Sequence, residues 1–159
     1  IHAVSKTYSM TGWRIGFAAG PAKIITAMAD IQSQSTSNPT SISQVAAEAA
    51  LNGDQTCVTE MVKAFKGRHD RLVADLNTVP GISCAAGDGT FYVFPNVEGL
   101  IRKLGVKDDL ELSDKLLKEA LVALVPGSAF GTPGHVRLSF ATSDKVLQES
   151  VARLRKIAG

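Results

Sequence analysis

Three side chains could carry chemistry, and two of them stand close together near the start of the chain. Lys6 lies in the small, largely uncharged run Ala3-Val4-Ser5-Lys6-Thr7-Tyr8-Ser9-Met10. Most lysines are solvated surface groups, but an amine that sheds its proton is a nucleophile for aldehydes. Arg14 follows eight positions later, between Trp13 and Ile15. It reads either as a surface arginine at a strand start or as an anion clamp, because the guanidinium fork fits phosphate. Ser5, Ser9 and Thr11 supply hydroxyl donors around the pair. A nucleophilic lysine beside a phosphate clamp is the equipment a phosphorylated aldehyde cofactor needs.

The third candidate is Arg137, in His135-Val136-Arg137-Leu138-Ser139-Phe140. Strand alternation places Val136, Leu138 and Phe140 on one face and His135, Arg137 and Ser139 on the other. Pattern alone favours a solvent-facing arginine. The sharper alternative is a bidentate clamp for a carboxylate, mounted on a rigid strand. Just upstream, Pro126-Gly127-Ser128-Ala129-Phe130-Gly131 reads as a cover for a site or as a tight turn. Tyr92 and Phe94 are expected in the core or at a domain interface, with Phe91 and Val93 on the opposite face.

The elements that position these residues follow from periodicity and punctuation. Ala3–Lys6 and Arg14–Ala19 are strand-like, and Gly20-Pro21 stops the second piece. Ile24, Ile25, Met28 and Ile31 recur at helical spacing over 22–33. A polar loop containing Asn38-Pro39 spans 32–41, and a second helix runs to about Leu51. A long amphipathic helix is expected over 55–78, with Val58, Met61, Val62, Phe65, Leu72 and Leu76 on one stripe. Strands are expected at 82–85, 91–95, 122–125 and 135–141. Helices are expected over 111–120, capped near Asp109 or Ser113, and from about Ser143, where Thr142-Ser143-Asp144 offers N-caps.

The fold class is therefore α/β. Residues 55–159 form a small α+β domain with helices on a small, mostly antiparallel sheet, whereas 1–54 hold two strands and two helices that lack sheet partners.

Composition excludes several functions. The 159 residues are 45% hydrophobic and carry a net charge of +2, with a mean hydropathy of +0.09. That describes a packed globular protein and no basic stripe for nucleic acid. No apolar run approaches the roughly 18 residues of a membrane span. Cys57 and Cys84 have no second pair and no neighbouring histidine, and His2, His69 and His135 are scattered. No metal site is proposed, and two lone thiols fit a reducing, cytoplasmic compartment.

Ser5-Lys6-Thr7-Tyr8-Ser9-Met10-Thr11-Gly12-Trp13-Arg14-Ile15-Gly16-Phe17 closely resembles the cofactor-lysine signature of the class I pyridoxal-phosphate aminotransferases, and most closely their bacterial aspartate branch. The resemblance extends along nearly the whole chain in family order. It takes in Ser37-Asn38-Pro39, Gly89-Thr90-Phe91-Tyr92-Val93-Phe94-Pro95, and Pro126–Gly131 with Val136–Ala141.

The resemblance implies that Lys6 bonds pyridoxal 5′-phosphate and later moves a proton, that Arg14 and Ser5 bind the cofactor phosphate, and that Arg137 holds the substrate α-carboxylate. It places Asn38 on a loop that reaches toward a neighbouring subunit of a homodimer, where it would meet substrate. The implied reaction exchanges an amino group between an L-amino acid, aspartate foremost, and a 2-oxo acid.

Ala3 stands where the family often has Gly or Ser, and His2 where Asn is common. The family's pyridine-binding aspartate, ring-oxygen tyrosine and stacking aromatic all precede its lysine. The chain, which starts at Ile1, is thus expected to be the C-terminal part of such an enzyme: a strip of the large domain (1–54) and the small domain (55–159). The alternatives are a non-catalytic remnant, or a related activity such as an aromatic aminotransferase or a lyase.

Overall fold

Antiparallel pairing closes the first loop of the chain. Strand β1 (His2–Ala3) pairs with β2 (Gly16–Phe17) in the register His2↔Phe17 and Ala3↔Gly16. Gly16 is required at this crossing, because a Cβ there would stand 2.9 Å from the His2 carbonyl oxygen. The computed structural model describes residues 1–159. Contacts divide them into two units, Ile1–Met61 and Val62–Gly159. The division falls inside a helix rather than at the preceding Asn52-Gly53-Asp54 turn.

In the first unit, the helical turn α1 (Val4–Thr7) follows β1 directly. Two longer helices, α2 (Ala22–Ser35) and α3 (Ser41–Asn52), follow β2. The apolar spacing forms α2 as expected, and the helix runs on to Ser35, into the expected loop. Yet none of its residues is buried: Ile24, Met28 and Ile31 are exposed, as are Ile42 and Val45 of α3. The buried residues of this unit are Val4, Ser43 and Ala47.

Helix α4 (Thr56–Leu76) runs from this unit into the second. It starts where the Asp54 carboxylate accepts from the Thr56 amide at 3.2 Å and from its hydroxyl at 2.8 Å.

The second unit is organised on a three-stranded antiparallel sheet of order β3-β5-β4, built from β3 (Tyr92–Val93), β4 (Val125–Pro126) and β5 (Val136–Ser139). Helix α5 (Glu98–Leu104) was not expected from periodicity. Its signals are Leu100, Ile101 and Leu104 at helical spacing, and Gly105, which ends it at φ 65°. Helix α6 (Asp109–Lys115) continues as a π-helical turn through Ala120. Helix α7 (Asp144–Ala158) is capped by Ser143, whose hydroxyl accepts from the Val146 amide at 3.4 Å. Leu72, Leu76, Val93, Leu100, Leu112, Leu116, Val136, Phe140, Val151 and Leu154 form one buried core.

Three expectations change. Residues 82–85 form no strand beyond a single bridge, Ser83↔Asn96. The Asn77 side chain takes over the backbone of Cys84 instead, donating to its carbonyl at 2.8 Å and accepting from its amide at 2.9 Å. The cap of α6 is Asp108, which accepts from Glu111 N at 2.9 Å; Asp109 and Ser113 lie inside the helix and are buried. Of the two places expected for Tyr92 and Phe94, a core or a domain interface, the core is excluded: Val93 is buried, Tyr92 half-buried and Phe94 exposed.

Candidate active site

Lys6 was expected on a strand and lies instead on the helical turn α1. The turn is closed by the Tyr8 amide on the Val4 carbonyl at 3.1 Å and the Ser9 amide on the Lys6 carbonyl at 3.2 Å. Val4, 2% exposed, anchors the turn. Ser5 is half-buried and Lys6 exposed.

A 3₁₀ turn at Thr11–Trp13 then leads into Arg14. Ser9 and Arg14 both adopt left-handed backbone, at φ 55° and 51°. Such geometry costs a non-glycine residue about 1–2 kcal/mol and concentrates at functional sites. Arg14 Nη1 donates to the Thr11 carbonyl at 2.9 Å. No carboxylate pairs with it, which leaves the rest of its fork for an anion. Because β1 and β2 pair, Ser5, Lys6 and Arg14 share one closed loop.

Sequence reasoning missed Ser43, whose buried hydroxyl donates to the Trp13 carbonyl at 2.8 Å. It fixes the residue before Arg14 from helix α3. A serine within the helical run Ser41-Ile42-Ser43-Gln44-Val45 gives no sequence signal for that role. Asn38 lies in the exposed loop between α2 and α3, after Ser37 at φ 63°, and makes no hydrogen bond within the chain.

Arg137 stands on β5 in the second unit. As alternation requires, Val136 and Leu138 are buried and Arg137 is half-buried on the other face. Its guanidinium carbon lies 4.3 Å from the Tyr92 ring centre and 4.5 Å from that of Phe130. Both rings lie within cation–π distance of the guanidinium, and no acceptor of this chain takes its N–H groups. A guanidinium with unclaimed donors can hold a carboxylate through two parallel hydrogen bonds.

The aromatic row continues outward. Phe94 meets Phe130 edge-on at 6.2 Å and stacks on His135 at 5.2 Å. Tyr92 and Phe94 thus face the candidate site rather than the core.

The loop after β4 is a 3₁₀ turn, Gly127–Phe130. Gly127 is needed there, because a Cβ would sit 2.3 Å from the Thr132 carbonyl oxygen. Asp109, fully buried in the first turn of α6, accepts from Ser128 N and Ser128 Oγ at 2.7 Å each and from Gly134 N at 3.4 Å. Burial pushes the Asp109 carboxyl up, but the Ser128 backbone and hydroxyl bonds outweigh it and hold the group below its ordinary range.

A lowered carboxyl contributes stability above its ordinary pKa, and the contribution is lost as pH falls through the lowered value. Urea unfolding of wild type and Asp109→Asn is therefore expected to show the largest stability gap near neutral pH. The gap should narrow below about pH 4. A gap independent of pH would remove the carboxylate from the account.

Comparison with known proteins matches the family model for aminotransferase class I and II to residues 2–154. The chain is 52% identical to an aspartate/prephenate aminotransferase of Nitrosomonas europaea, over 99% of this chain and 41% of that protein. It is 49% identical to an aspartate aminotransferase of Bacillus subtilis, over 98% of this chain and 40% of that protein. The crystal structure of the aspartate aminotransferase from Rhizobium meliloti superimposes with a TM-score of 0.91 at 44% identity, covering 98% of this chain and 40% of that one. The chain belongs to the class I and II aminotransferases. It spans about two-fifths of the length of the curated relatives it matches.

The cofactor of this family is pyridoxal 5′-phosphate. The donor set of the closed loop fits it: an exposed amine at Lys6 for the aldehyde, and the Arg14 fork and Ser5 hydroxyl for the phosphate. No helix is long and apolar enough to cross a membrane.

Proposed function

We propose that this chain is the C-terminal part of an aspartate aminotransferase that exchanges amino groups between L-aspartate and a 2-oxo acid. The observation that carries the proposal is Arg137, whose guanidinium lies against the Tyr92 and Phe130 rings with its N–H donors unclaimed by the chain. Such a group binds a carboxylate, which every amino acid and 2-oxo acid carries.

In this reading, Ser5 and Arg14 hold the phosphate of the cofactor and Lys6 holds its aldehyde carbon. When bound, pyridoxal phosphate supplies the electron sink that stabilises negative charge at the amino acid's Cα. Lys6 Nζ takes the proton from that Cα and later returns it, so one amine serves as base and then as acid. Arg137 fixes the α-carboxylate and so orients the Cα–H bond.

Residues 1–54 would belong to a large cofactor-binding domain and 55–159 to a small one. The exposed apolar faces of α2 and α3 support the first assignment. The reading includes a homodimer, with Asn38 near a neighbouring subunit's substrate. It also includes a cytoplasmic location, which the unpaired thiols of Cys57 and Cys84 support.

The test is direct. The full-length protein, loaded with pyridoxal phosphate, is given L-aspartate and 2-oxoglutarate. Oxaloacetate and glutamate should form in equal amounts. Absence of both products, with the cofactor bound, would refute the reading.

A second reading is favoured by the row Tyr92, Phe130, Phe94 and His135 beside Arg137, and by the Nitrosomonas relative whose name includes prephenate. It is that the site also accepts ring-bearing substrates. Phenylalanine in place of aspartate in the same assay discriminates the two.

A further inference from the structure

We infer that Asp109 is a positioning residue for the substrate-carboxylate clamp, acting through the Gly127–Phe130 turn that holds Phe130 against Arg137. The inference rests on the proposed role of Arg137. It extends that role from strand β5 to a residue in helix α6, twenty-eight positions earlier in the chain.

Asp109 is 0% exposed and forms no ion pair, so a buried carboxylate is satisfied entirely by N–H and O–H donors. Two of these come from Ser128, one per carboxylate oxygen, both at 2.7 Å. The third is the Gly134 amide at 3.4 Å, at the far end of the same loop. One carboxylate thus ties both ends of a seven-residue excursion, 128–134. A buried charge held only to fasten a surface turn is expensive, because removing any donor leaves the desolvation cost uncompensated.

The fastened turn carries Phe130 two residues after Ser128. Phe130 is 47% exposed and is not itself gripped by the core. Its contacts are the Arg137 guanidinium at 4.5 Å and the Phe94 edge at 6.2 Å. The anchor at Ser128, together with the turn's own backbone bonds, therefore sets where Phe130 stands against the guanidinium.

Arg137 has no hydrogen-bond partner in the chain to orient it. Its direction rests on the two rings, Tyr92 on β3 and Phe130 on the turn. Tyr92 is held by sheet pairing with Ser139. Phe130 is held by its turn, which Asp109 fastens through Ser128 and Gly134 and which the Gly127 amide on the His135 carbonyl, at 2.7 Å, also closes. Loss of one ring frees the guanidinium to swing, and a clamp that must be ordered on binding binds more weakly.

The test measures binding of succinate, a dicarboxylate with no amino group to transfer, to the cofactor-loaded full-length protein by calorimetry, together with KM and kcat. Asp109→Asn is expected to raise the succinate Kd and the substrate KM about tenfold, with kcat changed less than about twofold. Phe130→Leu should raise the Kd about three- to tenfold, the effect of losing one cation–π partner. The combination of both changes should weaken binding no more than Asp109→Asn alone, because they act through one ring.

Asp108→Ala is the control for stability. Asp108 caps the same helix through Glu111 N but touches nothing in the turn. It should lower thermal stability and leave the Kd unchanged. Equal Kd effects from Asp108→Ala and Asp109→Asn, or strict additivity of Asp109→Asn and Phe130→Leu, would overturn the inference. Should Asp109→Asn fail to fold, Ser128→Ala removes the hydroxyl bond alone and is expected to raise the Kd about threefold; no change would overturn the inference. If Arg137→Ala leaves the Kd untouched, the proposed function fails. If only Arg137→Ala weakens binding, the inference about Asp109 fails alone.

Discussion

Lys6→Ala in the full-length protein should lower amino transfer by at least about 10⁴-fold while the fold survives. The magnitude follows from the two roles assigned to one amine. Positioned proton transfer contributes about 10²–10⁴-fold, and loss of the covalent hold on the cofactor adds to that. The fold should survive because Lys6 is exposed at the surface of α1, whose anchor in the chain is Val4 at 2% exposure.

The second readout does not depend on activity. Borohydride treatment of the wild type should add the mass of one reduced cofactor to the peptide containing Lys6, and the alanine variant should gain none. Transfer at more than about a hundredth of the normal rate, or cofactor mass on another lysine, would displace Lys6 from its role. Lys23 is the lysine nearest in sequence, one residue into α2, and serves as the internal comparison.

Arg137→Ala is the second large effect, and its pattern should differ. Removing a charge-assisted bidentate contact costs about 2–5 kcal/mol, which corresponds to about 30- to 5,000-fold in kcat/KM. Borohydride trapping on Lys6 should be unaffected, because Arg137 contributes to the substrate and not to the cofactor. Arg137→Lys tests geometry separately from charge. A lysine keeps the cation but loses both the planar fork and the stacking surface that Tyr92 and Phe130 grip at 4.3 and 4.5 Å. Most of the loss should therefore remain in the lysine variant. Full recovery with lysine would reduce Arg137 to a source of positive potential, and the aromatic contacts to ordinary packing.

Together these variants separate two functions that the sequence places 131 residues apart. In the proposed function, cofactor attachment would depend on the closed loop of residues 4–15, where the chain itself returns through the β1–β2 pairing, and carboxylate binding on β5 and the aromatic groups beside it.

Local chemistry determined much of this from the sequence alone. Lys6, Arg14 and Ser5 were nominated together because they sit within ten residues of one another, but spacing left a surface lysine and arginine open, and it was the resemblance of the run Ser5–Phe17 to the cofactor-lysine signature that implied their roles. Alternation predicted the two faces of β5, because a strand's side chains must point to opposite sides whatever it pairs with. The long helices followed from apolar spacing, and α7 received the cap its Thr-Ser-Asp run offered. Residues 22–35 formed a helix with no buried side chain; periodicity fixes a helix, but burial needs a surface to pack against.

Tertiary structure decided the rest, wherever a contact joins residues distant in the chain. Lys6 lies on a helical turn instead of a strand because the pairing partner of β1 reaches only Ala3, and the Tyr8 and Ser9 amides fold back on Val4 and Lys6. Residues 82–85 lost their strand to the side chain of Asn77. Tyr92 was expected in the core or at a domain interface; it lies outside the core against Arg137, forty-five positions away, because β3 and β5 are neighbours in the sheet. Asp109 was expected as a cap, and its carboxylate turns inward to Ser128. A sequence pattern reports how a residue relates to its neighbours within a few turns or pleats; a buried carboxylate and its donors, or a guanidinium and its two rings, are matched only after the chain has folded.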